Sequence, residues 1–80
     1  MKITFEELRE MISEKLGIEK DQITETSSFV NDLGVDSLEQ VEVIMELEKK
    51  FDITIPDEDQ DKLSTVGDLL KYLNEKLANK

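Results

Sequence analysis

The chain is short, strongly acidic and free of cysteine and histidine. Its 80 residues carry 20 acidic side chains against 10 basic ones, for a formal net charge of −10. Because cysteine and histidine are absent, the chain lacks thiolate nucleophiles, disulfides, the usual general base and the commonest metal ligand. Self-sufficient hydrolytic catalysis is therefore not expected, and the length predicts one small domain over residues 1–80.

The distribution of charge and apolar residues limits the possible partners. Residues 36–61 hold 10 acidic and 2 basic side chains, which argues against nucleic acid and favours partners with basic surfaces. No apolar run approaches the ~20 residues of a membrane span, and no targeting pattern precedes the first helix. We expect a cytoplasmic protein that does not insert into membranes.

The first helix is predicted over residues 4–16. Thr4 and Glu7 have the spacing of a capping box, and Gly17 is a typical C-terminal stop. Residues 18–35 then form a connection that is longer than compact domains usually contain. Its apolar residues are expected to anchor it to the core: Ile18, Ile23, Phe29, Val30 and Leu33.

The second helix, predicted over residues 36–51, has two overlapping start signals. Asp36 with Glu39 has the spacing of a capping box, and Ser37 with Gln40 repeats it one residue later. If Ser37 is the cap, its hydroxyl has a structural role only. If Asp36 is the cap, the Ser37 hydroxyl is free, and a phosphate ester there would meet unpaired backbone N–H groups and the positive end of the helix dipole.

This helix carries two apolar stripes, although a surface helix normally needs only one. At about 100° per residue, one stripe consists of Val43, Ile44, Leu47 and Phe51. The second stripe either packs on the 18–35 connection or forms an exposed partner surface, since acidic residues flank it. Its members are Leu38, Val41 and Met45, and the flanking acids are Glu39, Glu42, Glu46 and Glu48.

The remaining segments are shorter. Pro56 disfavours helix in the residue before it, and at least one of Ile53 and Ile55 is expected in the core. Residues 57–62 are predicted to form a short helical turn. Thr65 with Asp68 then starts the last helix, whose apolar series is Val66, Leu69, Leu70, Leu73 and Leu77.

An acidic repeat raises the question of a metal site. Asp57, Asp59 and Asp61 match the first three ligand positions of a calcium-binding loop. The match then fails, because Lys62 replaces the required glycine and Asp68 replaces the bidentate glutamate. We predict no dedicated metal site.

The start of the second helix resembles a known attachment motif. The run Asp36-Ser37-Leu38, preceded by Asp32-Leu33-Gly34-Val35, is similar to the modification site of acyl carrier proteins of type II fatty-acid synthesis. The chain departs from the family pattern at Gln40, where threonine is frequent, and at Glu46, where a small residue is frequent. The resemblance continues through Val41-Glu42, Glu48, Phe51-Asp52, Ile55-Pro56-Asp57 and Thr65-Val66.

The resemblance implies an all-α fold, a small bundle of three main helices and one short helix with a long loop between helices one and two. It implies that Ser37, flanked by Asp36 and Leu38, carries 4'-phosphopantetheine, which a separate phosphopantetheinyl transferase installs from coenzyme A. The protein would hold growing acyl chains as thioesters on this arm and deliver them to the enzymes of fatty acid biosynthesis. We expect it to act as a monomer.

Two further sets of residues follow from the same resemblance. Basic grooves of partner enzymes would bind a recognition surface that comprises Leu38, Glu39, Val41, Glu42, Met45, Glu48 and Asp57. The core would part to shelter the acyl chain among Phe29, Val43, Ile44, Leu47, Ile55, Leu63, Leu69 and Leu73. Two alternatives stay open: a dedicated polyketide-type carrier, and an acidic helical interaction module without a prosthetic group.

Overall fold

Four α-helices and one short 3-10 turn make up the computed structural model, which describes residues 2–79. The helices are α1 (Phe5–Leu16), α2 (Ser37–Phe51), α3 (Asp57–Gln60) and α4 (Val66–Ala78), and the 3-10 turn is Lys20–Gln22. No strand forms among these residues, which contain one isolated bridge between Ser28 and Thr65. The predicted all-α architecture of three long helices and one short helix is confirmed.

Side-chain caps define the starts of the three long helices. Thr4, Asp36 and Thr65 each accept a hydrogen bond from the backbone N–H three residues on, and the acid at that position bonds back to the cap. The predicted capping boxes at Thr4 and Asp36 and the predicted start of the last helix at Thr65 are therefore confirmed. The C-terminal stop of α1 is also confirmed, because Gly17 has φ 68° and its N–H donates to Ser13 O at 2.8 Å.

The buried apolar residues of all three long helices belong to one cluster. From α2 the cluster takes the stripe that was predicted to face the core, and from the segment after α2 it takes Ile55, which is 2% exposed. Ile23 and Phe29 anchor the α1–α2 connection as predicted, with Ile18 and Leu33 packed at the edge of the cluster. The prediction for Val30 is wrong, because its side chain is 62% exposed.

The α1–α2 connection is attached to the start of α4 by backbone hydrogen bonds. Val66 N donates to Ser27 O at 3.1 Å, and Gly67 N donates to Glu25 O at 2.8 Å. The close approach requires glycine, because a Cβ at position 67 would lie 2.8 Å from Glu25 O. The connection therefore satisfies the first N–H groups of α4 and leaves the start of α2 uncovered.

Candidate functional site

Ser37 is the first helical residue of α2, and its side chain is exposed. Asp36 forms the cap: its Oδ1 accepts a hydrogen bond from Glu39 N at 2.8 Å, and Glu39 Oε1 accepts one from Asp36 N at 3.3 Å. The alternative in which Ser37 caps the helix is therefore wrong. The Ser37 hydroxyl forms no hydrogen bond with any residue in the described range 2–79.

The backbone around Ser37 can receive an anion. The cap uses the N–H groups of Asp36 and Glu39, and Gln40 N donates to Asp36 O at 3.0 Å as the first bond of the helix ladder. Within the described residues, the N–H groups of Ser37 and Leu38 have no such partner. These two donors and the helix dipole favour a negative group bonded to the Ser37 side chain.

The other four serines of the chain occupy different settings. Ser27 is buried and hydrogen-bonded within its loop, and Ser13 Oγ donates to Ile18 O. Ser28 Oγ accepts from Asn31 N, and Ser64 lies outside any helix, in the irregular segment between α3 and α4. Ser37 is the serine that combines an exposed hydroxyl with the first turn of a long helix.

The second apolar stripe of α2 lies on the surface. Leu38 is 69% exposed, Val41 45% and Met45 59%. They are therefore not core contacts of the 18–35 connection, and the interpretation as an exposed strip is confirmed. Val30, in the loop that precedes α2, adds a further exposed apolar side chain that periodicity did not identify.

The acidic residues predicted for partner recognition differ in their settings. Glu42 and Asp57 are exposed, whereas Glu39 is half-buried and belongs to the α2 cap. Glu48 is half-buried, and its Oε2 accepts a hydrogen bond from the backbone N–H of Ile55 at 2.7 Å. Glu48 thus has a structural role that the sequence pattern does not reveal, because the contact joins two residues seven positions apart.

The residues predicted to line an acyl pocket are all buried in the central cluster. Phe29 and Leu63 are the most exposed of the eight, at 4% each. These two also line an open surface groove of about 380 Å³, whose other borders are the loop of residues 28–31, Gln40 on α2, and Gln60, Asp61 and Ser64. The groove therefore reaches the edge of the predicted pocket. The complete set is Phe29, Val43, Ile44, Leu47, Ile55, Leu63, Leu69 and Leu73.

A second open groove, of about 550 Å³, lies beside the exposed strip. It is bordered by Met45, Glu42 and Glu48 of α2 and by Ile53 after the helix. Lys15 and Lys49 also line it, so its charge is mixed. Lys15 could not be predicted from the sequence, because no spacing rule links the end of α1 to α2. Lys49 lies four residues after Met45 on α2, so helical spacing could have placed it there.

Neither a metal-binding cluster nor a membrane-spanning helix is present in residues 2–79. The side chains of Asp57, Asp59 and Asp61 are not grouped to hold an ion, and no other three acidic residues in this range are. No helix in the same range combines the length and apolar character that crossing a membrane requires.

Comparison with known proteins gives three consistent results. The family profile described as "Phosphopantetheine attachment site" matches residues 6–73. An acyl carrier protein from Exiguobacterium sp. (strain ATCC BAA-1283 / AT1b) is 54% identical over 71 residues, which cover 89% of this chain and 90% of that protein. A solution structure from Anaplasma phagocytophilum, described as a candidate acyl carrier protein, superposes with a TM-score of 0.81. It is 33% identical and covers 90% of this chain and 85% of its own.

Proposed function

Since the chain belongs to the acyl carrier protein family, we propose that Ser37 is the residue to which its 4'-phosphopantetheine is attached. The family assignment establishes the activity: the protein carries growing acyl chains on this covalently attached group and delivers them in fatty acid biosynthesis. It is a carrier and not a catalyst. Neither a polyketide-type role nor a module without the group has support from these comparisons.

The observation that carries the proposal is the division of roles between Asp36 and Ser37. Asp36 provides the cap, which leaves an exposed serine hydroxyl on the first residue of α2. The N–H groups of Ser37 and Leu38 are positioned to donate to a phosphodiester on that hydroxyl. The residues present therefore fit the group.

The chain itself supplies the hydroxyl and the anion-binding helix start, but no base. It has no histidine, and the neighbouring Asp36 carboxylate is engaged by Glu39 N. Activation of the hydroxyl must therefore come from a separate phosphopantetheinyl transferase. When bound, the group supplies a thiol that holds the acyl chain as a thioester.

We further propose that partner enzymes recognise the exposed strip of α2 together with its acids. Leu38, Val41 and Met45 offer apolar contact, and Glu42 and Asp57 offer exposed negative charge. A basic groove on an enzyme would bind such a surface, with charge raising the association rate and apolar contact slowing dissociation. The half-buried Glu39 and Glu48 would add to the negative electrostatic potential of this surface.

The buried cluster is the proposed shelter for the acyl chain. Its eight candidate residues are apolar and continuous with one another through the core, and two of them reach the groove beside Gln40. That single core also supports our proposal that residues 1–80 form one domain. We also propose that the protein acts as a monomer. We place it in the cytoplasm, where a carrier can move between separate enzymes.

Phosphopantetheine transfer tests the attachment site. We expect wild-type protein, incubated with coenzyme A and a broad-specificity transferase, to gain one arm by intact mass, and Ser37→Ala to gain none. Ser64→Ala, which removes an exposed serine elsewhere, is the matched control and should be modified like wild type. Ser37→Ala should stay folded, because Asp36 retains the cap. Modification of Ser37→Ala would overturn the assignment.

A further inference from the structure

The segment between α2 and α4 is held to the body of the protein less firmly than the other connection. Residues 54–63, which we call the strap, contain the four-residue helix α3. Two side-chain hydrogen bonds join the strap to the long helices on either side. Glu48 Oε2 on α2 accepts from Ile55 N at 2.7 Å, and Tyr72 on α4 donates its hydroxyl hydrogen to Asp59 Oδ2 at 2.6 Å.

The α1–α2 connection differs in kind. It is joined to the start of α4 by backbone hydrogen bonds from Val66 N and Gly67 N. A third backbone bond, from Phe29 N to Ser64 O at 3.1 Å, fixes the chain immediately after the strap, so residues 54–63 are the part of the α2–α4 segment that only side chains join to the long helices. To break these backbone bonds, the loop backbone or the helix backbone must be displaced. Side-chain hydrogen bonds, in contrast, break by rotation about single bonds. Opening the core by displacing the strap should therefore require less free energy than opening it by displacing the α1–α2 connection.

Electrostatic repulsion also favours opening of the strap. It carries four acidic residues and one lysine, and it packs near the acidic helix α2. Tyr72 is partly buried, and burial, the hydrogen bond to Asp59 and the nearby charges of Asp59 and Glu48 all raise the pKa of its hydroxyl far above the ordinary value. The phenol therefore stays a neutral donor, which attracts one acid of the strap without adding charge. The four acids are Asp57, Glu58, Asp59 and Asp61.

The strap closes one wall of the core. Ile55 and Leu63, near its two ends, are 2% and 4% exposed and belong to the buried cluster. Leu63 also lines the groove beside Phe29 and Gln40. Displacement of the strap would extend this groove into the buried cluster. An acyl chain could enter there without unfolding a long helix.

We propose that Tyr72 is a positioning residue for acyl sequestration, which acts through its hydrogen bond to Asp59 to hold the strap over the core. The hydrogen bond controls how often residues 54–63 open while α4 itself stays folded. The consequence for the acyl chain rests on the proposed shelter in the core, but the effect on strap opening does not.

Residue-level amide hydrogen exchange on the full, unmodified chain tests the proposal. The strap reporters are the amides of Ile55, Lys62 and Leu63, which are hydrogen-bonded within or at the edge of the strap. The α4 reporters are the amides of Leu69 and Leu73. Tyr72→Phe removes the hydroxyl and keeps the ring, and Asp59→Ala removes the acceptor. Glu58→Ala, an exposed acid on the same short helix, is the matched control.

We expect Tyr72→Phe and Asp59→Ala each to accelerate exchange of the strap reporters by about ten- to a hundredfold, the range for a hydrogen bond to a charged group. The α4 reporters should change much less, and the double variant should exchange like either single variant. Glu58→Ala removes repulsion and no hydrogen bond, so it should not accelerate exchange of the strap reporters. Equal acceleration of strap and α4, or no acceleration of the strap, would overturn the proposal. Because the measurement uses unmodified protein, its failure would leave the Ser37 assignment standing.

Discussion

Two glutamates of α2 that look alike in the sequence should respond very differently to mutation. Glu42 is exposed, and it makes no hydrogen bond with the described residues 2–79. Glu48 accepts the backbone N–H of Ile55, a residue in the core. Substitution by alanine removes one negative charge at either position and suits a helix equally well, so the comparison isolates the hydrogen bond.

The expected size of the difference follows from the group left without a partner. Glu48→Ala leaves Ile55 N unpaired beside the core, which costs about 1–3 kcal/mol. In a domain of this size each kcal/mol lowers the melting temperature by about 4–8 °C, so a loss of about 2 kcal/mol corresponds to roughly 8–16 °C. Glu42→Ala should change stability by no more than about 0.5 kcal/mol, the usual range for exposed sites.

Thermal and urea unfolding, followed by circular dichroism, provide the stability measurement. Stopped-flow association with a fatty-acid-synthesis enzyme, at two salt concentrations, provides the functional one. We expect Glu42→Ala to slow association at low salt and to lose that effect at high salt, because screening already weakens the wild-type attraction. Equal melting curves for the two variants would refute the structural role assigned to Glu48.

Three further predictions concern packing, pH and salt. Gly67→Ala should destabilise the fold by about 1–3 kcal/mol, because crowding against Glu25 O and loss of the hydrogen bond to it outweigh the ~1 kcal/mol that alanine gains in a helix. Urea unfolding of this variant and of the exposed control Glu75→Ala measures the effect, and a stabilised Gly67→Ala would contradict the prediction. The raised pKa of Tyr72 means that its stabilising contribution is complete below the unfolded-state pKa of about 10 and declines as pH rises above it. Wild type should therefore lose more stability than Tyr72→Phe between about pH 9 and 11, and parallel stability profiles would count against the burial and hydrogen bond that raise this pKa. Sodium chloride should raise the melting temperature, because like-charge repulsion at a net charge of −10 opposes the compact state and salt screens that repulsion. An unmoved melting curve would show that like-charge repulsion does not lower the stability of the fold.

Local patterns in the sequence were sufficient to predict the helices. Capping boxes join residues only three positions apart, so the starts of α1, α2 and α4 follow from spacing alone. The buried stripe of α2 was predictable for the same reason, since helical periodicity fixes which side chains share a face. The exposure of Leu38, Val41 and Met45 was left open by the pattern, because a small bundle can bury a helix on two sides.

Contacts between distant segments were not predictable. The bond from Tyr72 to Asp59 and the approach of Gly67 to Glu25 depend on how the connections pass over the helices. The exposure of Val30 depends on the same path, because the turn that buries Phe29 directs the next side chain outward. At the candidate site, the choice between two cap residues required the backbone, although the sequence limited it to Asp36 and Ser37.

The position of the modification is the central claim, and fragment mass mapping of modified wild-type protein tests it most directly. The protein is loaded from coenzyme A by a transferase, cleaved, and each peptide fragmented to locate the added mass. We predict that all of the added mass lies on Ser37, the exposed first residue of α2. Added mass on Ser27, Ser28 or Ser64, or none on any serine, would contradict the account.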